Sequence, residues 1–342
     1  MPPDTPTASF AERLLTWWQT HGRHDLPWQK DRTPYRVWVA EIMLQQTQVS
    51  TVIPYFERFM AAFPDLQSLA SAEEDDVLAH WSGLGYYARA RNLHATARRC
   101  MEDHGAALPE APDSLEALPG IGRSTANAIV AQAHDRREVI LDGNVKRVLA
   151  RHAGIEGWPG RSAVLQQLWQ EAEARTPDGC ARDYTQAIMD LGATLCTSRR
   201  PDCDHCPVSA DCVALQQGRV SELPTPKPRK RKPHRNTTLL IIENDRGEIL
   251  LEKRPGAGIW GGLWSLPESD ETALPAVAER RAPPAPVRHE FTHFTLDIRF
   301  DRVLVGVSST IEEAANRSWM RQKEALERGL PQPVRRLIER LG

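Results

Sequence analysis

Four cysteines, Cys196, Cys203, Cys206 and Cys212, stand close together in the chain. Four thiolates this close can surround one metal centre, and the fold then has to close this loop around that centre. Structural zinc sites usually combine two separate C-x2-C pairs, whereas this loop holds one such pair. A run of four cysteines suits an iron–sulfur cluster better, although the spacing leaves structural zinc open.

The length of 342 residues predicts two domains, each with its own core. No stretch is apolar and long enough to span a bilayer, and the N-terminal residues lack the basic start and apolar run of a secretory signal. We therefore expect no membrane partner and a cytoplasmic protein. Cys100 and Cys180, which lie outside the cysteine loop, are predicted to be ordinary buried or half-buried thiols.

The pattern of residues changes once along the chain. Residues 1–217 read as a mostly helical domain, and residues 237–342 read as a smaller α+β domain with a strand, turn and strand at its start. Between them, residues 218–236 form a basic, proline-rich linker that we expect to be extended. The net charge of −2 is not that of a strongly basic protein. Local basic clusters at Arg89–Arg99 and Lys146–Arg151 suit either phosphate contacts or solvated helix faces.

A tight turn between two helices is predicted at Leu118-Pro119-Gly120-Ile121-Gly122. The second helix is expected to begin near Ser124, and its free N–H groups and dipole could hold a DNA phosphate. The alternative is a helical hairpin with no ligand. The segment resembles the helix-hairpin-helix element of DNA glycosylases.

Two acidic residues are candidates for catalysis. Asp142 follows an apolar run and precedes a basic helix, so that Asp142 or Asn144 could simply cap the helix. Glu41 lies inside an apolar helix, where burial would raise its pKa and favour the protonated form that a general acid needs. Glu41, Gln45 and Gln48 would share one helix face, which could line a pocket or turn to water.

Five segments together resemble a known family. The runs WVAEIMLQQTQV, GLGYYARARNLH, LPGIGRSTANAI and ILDGNVKRVLARH, and then the cysteine loop, follow the order seen in MutY-type adenine DNA glycosylases of the endonuclease III superfamily. The C-terminal domain looks like the MutT-like, Nudix-fold domain of that family. The resemblance implies a helix-hairpin-helix glycosylase fold and a [4Fe–4S] cluster held by the four cysteines.

The resemblance also implies a reaction. Enzymes of the MutY type remove adenine mispaired with 8-oxoguanine or guanine in double-stranded DNA. Glu41 would protonate the adenine, and Asp142 would stabilise the sugar oxocarbenium ion or form a covalent intermediate with it. Glu41 would then act as a base toward water, while Asn144 would orient the sugar or Asp142.

One position separates this family from its nearest relative. Endonuclease III has a lysine in the hairpin helix that forms a Schiff base with the sugar, and here that residue is Ser124. We therefore expect base excision without strong lyase activity. The alternatives are an endonuclease III-like glycosylase and lyase acting on oxidised pyrimidines, and a non-catalytic DNA-binding iron–sulfur protein.

The remaining site residues come from the resemblance alone. The family places a duplex wedge at Gln46, Leu84 and Tyr86, and the adenine pocket at Trp28 and Gln186. It places 8-oxoguanine recognition at Phe291, Thr292 and His293, where Thr replaces the usual Ser. A plain core or surface role stays open for the wedge and pocket positions. Residues 256–281 contain no Nudix metal box, so nucleotide hydrolysis is not expected. We expect a monomer bound to the bacterial nucleoid.

Overall fold

The computed structural model describes residues 8–228, 231–269, 279–306 and 316–341. The first part of the chain is helical, as its sequence predicts. Its helices are α1 (Phe10–His21), α2 (Pro34–Leu44), α3 (Val49–Ala62), α4 (Leu66–Ser71), α5 (Glu74–Trp81), α6 (Ala88–Asp103), α7 (Pro112–Glu116), α8 (Arg123–His134), α9 (Gly143–His152), α10 (Ser162–Arg175), α11 (Ala181–Thr194) and α12 (Val213–Gln216).

Local sequence signals start several of these helices. Ser9 and Glu12 form a capping box at α1, because each side chain bonds the backbone N–H of the other. Thr33 caps α2 and Pro34 occupies its first turn, as the sequence predicts. The helix then ends at Leu44, because Gln46 adopts a left-handed φ of 56°. The prediction that Glu41, Gln45 and Gln48 share one helix face was therefore wrong.

The C-terminal part forms a mixed sheet followed by two helices. Its elements are β1 (His234–Asn244), β2 (Ile249–Lys253), β3 (Trp264–Ser265), β4 (Glu279–Arg281), β5 (Val287–Glu290), β6 (Thr295–Val305), β7 (Arg317–Met320), α13 (Gln322–Glu327) and α14 (Gln332–Ile338). The order is β3-β2-β1-β6-β4, with β5 paired to β6 and β7 to β2. β1 and β6 run parallel over their full length, and β1 forms the predicted hairpin with β2. The runs HFTLDIRF and DRVLVGV, which the sequence predicts as two strands, contribute to one strand, β6, which ends at Val305; residue 307 lies outside the described part.

The chain divides into two compact units. One takes in the chain up to Ala70 and from Ala95 to the linker, and the other combines Ser71–His94 with the chain after the linker. The first strand begins at His234, inside the predicted linker, while positions 229 and 230 lie outside the described residues. The domain boundaries at 217 and 237 stay predictions. No helix in the described ranges is both long and apolar enough to cross a membrane.

Two further expectations about single residues meet different outcomes. Cys100 is buried in α6, as predicted. Cys180 is exposed, which corrects the expectation of a buried or half-buried thiol, because it precedes α11 in a left-handed conformation with φ of 58°. The start of the linker is less extended than expected, since the backbone N–H groups of Glu222 and Leu223 both bond the Arg219 carbonyl in a turn, at 3.0 and 3.3 Å.

Candidate active site

A cleft of about 980 Å³ in the first unit brings seven of the predicted site residues together. Its lining includes both candidate carboxylates and residues from the ends of α2, α8, α9 and α11. The predicted residues in this lining are Trp28, Glu41, Gln46, Ser124, Asp142, Asn144 and Gln186. The cleft is large enough to receive a nucleotide turned out of a duplex.

Glu41 has the protonation behaviour that its sequence context predicts. It projects from the last turn of α2, and its Oε1 accepts a hydrogen bond from Gln132 Nε2 at 2.8 Å. Burial and the negative charge of Asp142 raise the pKa of Glu41 to about 7, against the smaller, lowering effect of the Gln132 bond. A carboxyl group with this pKa is partly protonated at neutral pH.

Asp142 is both a helix cap and a member of the carboxylate pair. It is the N-cap of α9, and its Oδ1 accepts the backbone N–H of Val145 at 2.7 Å. Burial raises its pKa, whereas the N–H groups of Val145 and Asn144 and the charges of Arg147 and Lys146 oppose that rise. The capping account and the catalytic account thus describe the same geometry.

The surroundings of the two carboxyl groups set the order in which they lose protons. Asp142 receives two backbone N–H groups and faces two cationic side chains, whereas Glu41 receives one amide and faces the charge of Asp142. The pair therefore ionises first at Asp142, and Glu41 keeps the remaining proton. The expected division into one acid and one carboxylate follows from these contacts, although burial raises both pKa values.

The helical hairpin turn connects directly to Asp142. Gly120 has φ of 77°, which favours glycine, and Gly122 is the N-cap of α8 with open space where a Cβ would lie. The helix begins at Arg123, one residue before the predicted start. Ser124 Oγ accepts the backbone N–H of Leu141 at 2.9 Å. Ser124 thereby holds the segment that ends in Asp142.

Replacing Ser124 by Ala is expected to lower the free energy of unfolding by about 1–2 kcal/mol, because the buried N–H of Leu141 would lose its partner. Chemical denaturation followed by circular dichroism measures this change. Ser124→Thr is the matched control, since it keeps the hydroxyl. Equal stability of Ser124→Ala and the wild type would contradict the supporting role.

Gln186 in the cleft is fixed by a buried carboxylate that the sequence does not reveal. Asp190 is fully buried on α11 and accepts Gln186 Nε2 at 2.8 Å and Trp18 Nε1 at 3.0 Å. Arg23 pairs with the same carboxylate at 2.6 Å. Because Asp190 takes the amide nitrogen, Gln186 keeps its carbonyl oxygen for other partners. Trp28 is buried edge-on against Phe56, with ring centroids 5.4 Å apart.

Arg147 connects the active-site cleft to the cysteine loop. It donates to Asn144 Oδ1 at 2.8 Å, to the Gly192 carbonyl at 2.7 Å and to the Cys196 carbonyl at 2.7 Å. Arg151, one turn further along α9, is buried and donates to the Thr197 carbonyl at 2.7 Å. The account of a solvated helix face was wrong for Arg151, which is buried, whereas phosphate contact by this basic cluster stays a prediction. The i,i+4 spacing of Arg147 and Arg151 places them on one helix face, and this was the sequence signal that both could contact the same segment.

The four predicted ligand cysteines line one small cavity with Arg151 and His152. Within the described part of the chain, however, no three His, Cys, Asp or Glu side chains approach closely enough to hold a metal ion. Thiolates on one zinc ion, each at about 2.3 Å, need such a close approach, whereas a cluster separates its cysteine ligands by its own iron and sulfide atoms. Burial raises the pKa of Cys206 to about 12, so the thiolates need a cationic partner there. Four cysteine side chains around one cavity are a donor set of the kind that iron–sulfur clusters use.

In the second unit the predicted recognition residues lie on a short loop between β5 and β6. The loop is closed by a bond from Phe291 N to the Phe294 carbonyl at 2.9 Å and by stacking of the two rings at 4.3 Å. Thr292 and His293 are exposed at its tip. Thr292 Oγ1 lies 3.3 Å from the hydroxyl of Tyr86, one of the expected wedge residues.

The expected wedge residues differ in how they are presented. Tyr86 is 48% exposed and Gln46 is exposed, each with a left-handed backbone conformation. Leu84 is 6% exposed, so its side chain would have to move before it could enter a duplex. Arg89 is turned inward rather than to phosphate, since its guanidinium lies 5.3 Å from the rings of both Trp81 and Tyr86.

Similarity to known proteins shows the family to which this chain belongs. Residues 39–174 match the HhH-GPD superfamily of base excision DNA repair proteins, and residues 237–340 match the NUDIX domain. The chain is 36% identical to an adenine DNA glycosylase of Buchnera aphidicola subsp. Schizaphis graminum, over 96% of this chain and 98% of that protein. The chain belongs to the adenine DNA glycosylase family. It is also 39% identical to the adenine DNA glycosylase of Rattus norvegicus, over 76% of this chain and 60% of that protein.

Membership of the adenine DNA glycosylase family confirms the resemblance read from the five segments. It makes the chain a DNA glycosylase of base excision repair, with a helical domain and a C-terminal Nudix-like domain. A thermostable thymine-DNA glycosylase structure matches 61% of this chain and 95% of its own, at 28% identity and a TM-score of 0.56. An endonuclease III–DNA complex matches 61% and 94% at 20% identity and a TM-score of 0.52, which supports the helical fold alone.

Proposed function

We propose that this chain removes adenine mispaired with 8-oxoguanine or guanine in double-stranded DNA, by hydrolysing the N-glycosidic bond. The observation that carries the proposal is the unequal carboxylate pair in the cleft, where Glu41, with a pKa of about 7, stands beside Asp142. Two titratable groups in different surroundings are what an acid and a charge-stabilising carboxylate require. The adenine leaves the stack to reach them.

In the first step Glu41 donates its proton to N7 of the adenine. The bond between N9 and C1′ breaks, its electron pair stays with the adenine, and the base leaves neutral. Asp142 stabilises the positive charge that develops on the deoxyribose, either as an ion pair or through a covalent bond to C1′. The growing charge on the sugar offsets the burial of Asp142 and favours its ionised form.

In the second step water adds to C1′ and the ionised Glu41 takes its proton, which restores the starting state. Asn144 orients the sugar or Asp142 and is itself held by Arg147 at 2.8 Å. Gln186 contributes base selection, since its amide nitrogen is committed to Asp190 and its carbonyl oxygen can accept from a 6-amino group. A 6-oxo purine offers only an acceptor at that position.

The endonuclease III-like alternative requires an amine that attacks the sugar. None of the described residues lining the cleft is a lysine. The residue at the corresponding position, Ser124, has a hydroxyl engaged with the Leu141 backbone and cannot form an imine. We therefore propose a glycosylase without strong lyase activity. The carboxylate pair itself weighs against the non-catalytic alternative.

We propose that Cys196, Cys203, Cys206 and Cys212 hold a [4Fe–4S] cluster. The cavity that the four cysteines share supports this assignment. The cluster would brace the loop and the DNA-facing end of the fold. The hairpin at Gly120, Gly122 and Ser124 would bind a DNA phosphate at the start of α8.

We further propose that the loop of Phe291, Thr292 and His293 recognises the 8-oxoguanine. Its exposed hydroxyl and imidazole can exchange hydrogen bonds with the lesion, and the nearby Tyr86 offers an aromatic ring for stacking. The chain would act as a monomer, in the bacterial cytoplasm at the nucleoid. We propose no membrane partner for this chain.

Replacing Thr292 by Val is expected to lower the ratio of the excision rates for A:8-oxoguanine and A:G by about fivefold, because one hydrogen bond to the lesion is lost while the shape is kept. Single-turnover rates on the two duplexes measure the ratio. Thr292→Ser keeps the hydroxyl and serves as the control. An unchanged ratio in Thr292→Val would remove Thr292 from lesion recognition.

The proposed function is tested on one set of duplexes holding A:8-oxoguanine, A:G, A:C or oxidised thymine opposite A. We expect adenine release fastest from the first two and little trapping of protein on DNA by borohydride. Strong borohydride trapping on the oxidised thymine duplex would instead support the endonuclease III-like enzyme. Binding to all four duplexes without base release would support the non-catalytic protein.

A further inference from the structure

Asp211 immediately precedes Cys212, the last cysteine of the loop, and both of its carboxylate oxygens are bonded to distant helices. Oδ2 accepts Arg13 Nη2 of α1 at 2.7 Å, and Oδ1 lies 3.1 Å from His152 Nε2 at the end of α9. The two partner side chains are only 14% and 6% exposed. Partners fixed in this way hold a carboxylate more firmly than mobile surface chains do.

The proton arrangement makes His152 a donor to Asp211. Arg175 Nη2 lies 3.3 Å from His152 Nδ1, and a guanidinium can only donate. Nδ1 must therefore accept, and the neutral ring carries its proton on Nε2, where it faces Asp211. The ring is also packed edge-on against Phe10, with centroids 4.8 Å apart.

The last turn of α9 contacts both ends of the cysteine loop. Arg151 binds the opening end, through the carbonyl of Thr197 at 2.7 Å and that of Cys196 at 3.4 Å. His152, the next residue, binds the closing end through Asp211. A loop that must surround a centre loses less entropy on closing when both of its ends are already held.

A second aspartate in the same loop offers a direct comparison. Asp202 immediately precedes Cys203, as Asp211 precedes Cys212, yet its side chain pairs at 2.9 Å with His205, which is 79% exposed. This pair is local and solvated, so it ties the loop to no helix.

We propose that Asp211 is a positioning residue that fixes the closing end of the cysteine loop to α1 and α9, and thereby keeps Cys212 in place for a bound cluster. The inference rests on the cluster assignment proposed above. It assigns the two aspartates different roles, although each stands directly before a ligand cysteine.

The test compares the full-length holoprotein with Asp211→Asn and Asp202→Asn. Iron per chain is measured after purification, and the decay of visible cluster absorbance is followed in excess iron chelator. We expect Asp211→Asn to lose its cluster about tenfold faster than the wild type, because a charged hydrogen-bond pair is weakened. Asp202→Asn should decay at the wild-type rate, and circular dichroism should show equal helix content in all three.

If Asp211→Asn loses its iron during purification, the decay rate of Arg13→Met is compared with that of Asp202→Asn, and Arg13→Met should lose its cluster faster. Where all variants retain iron, a double-mutant cycle extends the test. Arg13→Met removes one partner only, and the pair Arg13→Met and Asp211→Asn should be less than additive in the logarithm of the decay rate. Equal decay of Asp211→Asn and Asp202→Asn, with iron present in the wild type, would overturn the anchoring role alone. Absence of iron from the wild type would overturn the cluster proposal and this inference together.

Discussion

Asp142→Asn is expected to slow single-turnover excision of adenine opposite 8-oxoguanine by about a thousandfold, because it removes the negative charge that meets the developing sugar cation. The substitution is nearly isosteric. Asn is as good an N-cap as Asp, so α9 should keep its start and the bond from Val145 N. The rate loss would then report charge rather than folding. Quenched-flow measurement of base release at saturating enzyme is the appropriate assay.

The control for this prediction is thermal unfolding of the same variant. We expect a melting temperature close to that of the wild type, since removing a carboxylate whose pKa is raised by burial also relieves a desolvation cost. Asn144→Ala is a useful comparison, because it releases Arg147 but leaves the charge of Asp142 in place. Base release by Asp142→Asn at the wild-type rate would rule out the proposed stabilisation of the sugar.

The sequence predicts the site to the extent that local signals define it. Glu41 stands out because a carboxyl group in an apolar helix must be buried or turned to a pocket, and Glu41 lines the cleft as a half-buried residue. Asp142 stands out because an apolar run ends in it and a basic helix follows. The hairpin around Gly120 is also a local feature, since proline and glycine determine the turn.

The residues that hold this site in place depend on contacts remote in sequence. Asp190 meets Trp18 across 172 positions, and Gln132 meets Glu41 across 91, so no local pattern marks either pair. The sequence alone suits Arg147 as a phosphate ligand, whereas in the structure its guanidinium donates to the carbonyls of Gly192 and Cys196. The sequence also predicts too long a helix for α2, because no glycine marks the left-handed turn at Gln46.

The wedge stays a prediction, and the structure shows how its expected residues differ in exposure. The family pattern names Leu84 and Tyr86 alike, yet the structure buries the first and exposes the second. In this loop Arg89 donates to the carbonyls of Leu84 and Gly85, at 3.4 and 3.0 Å. Loop conformation of this kind depends on side-chain packing rather than on residue type.

Glu41→Gln is expected to slow adenine release by about a hundredfold to ten-thousandfold, because the leaving base loses its proton donor. The wild-type enzyme should also lose activity as the pH rises through about 7, the pKa of Glu41, since only the protonated form can donate. Above that value the second-order rate constant should fall about tenfold per pH unit. In Glu41→Gln this decline should vanish.

The stability of Glu41→Gln and the behaviour of a variant at Gln132 distinguish loss of the proton donor from misfolding. The folded pKa of Glu41 lies above its unfolded value of 4.5, so its contribution to stability is complete below 4.5 and is lost as the pH rises through about 7. Glu41→Gln should therefore be at least as stable as the wild type in alkaline buffer. Gln132→Leu removes the bond that lowers the pKa of Glu41 and should move the decline in rate to higher pH. A decline that persists unchanged in Glu41→Gln would assign the general acid to another group.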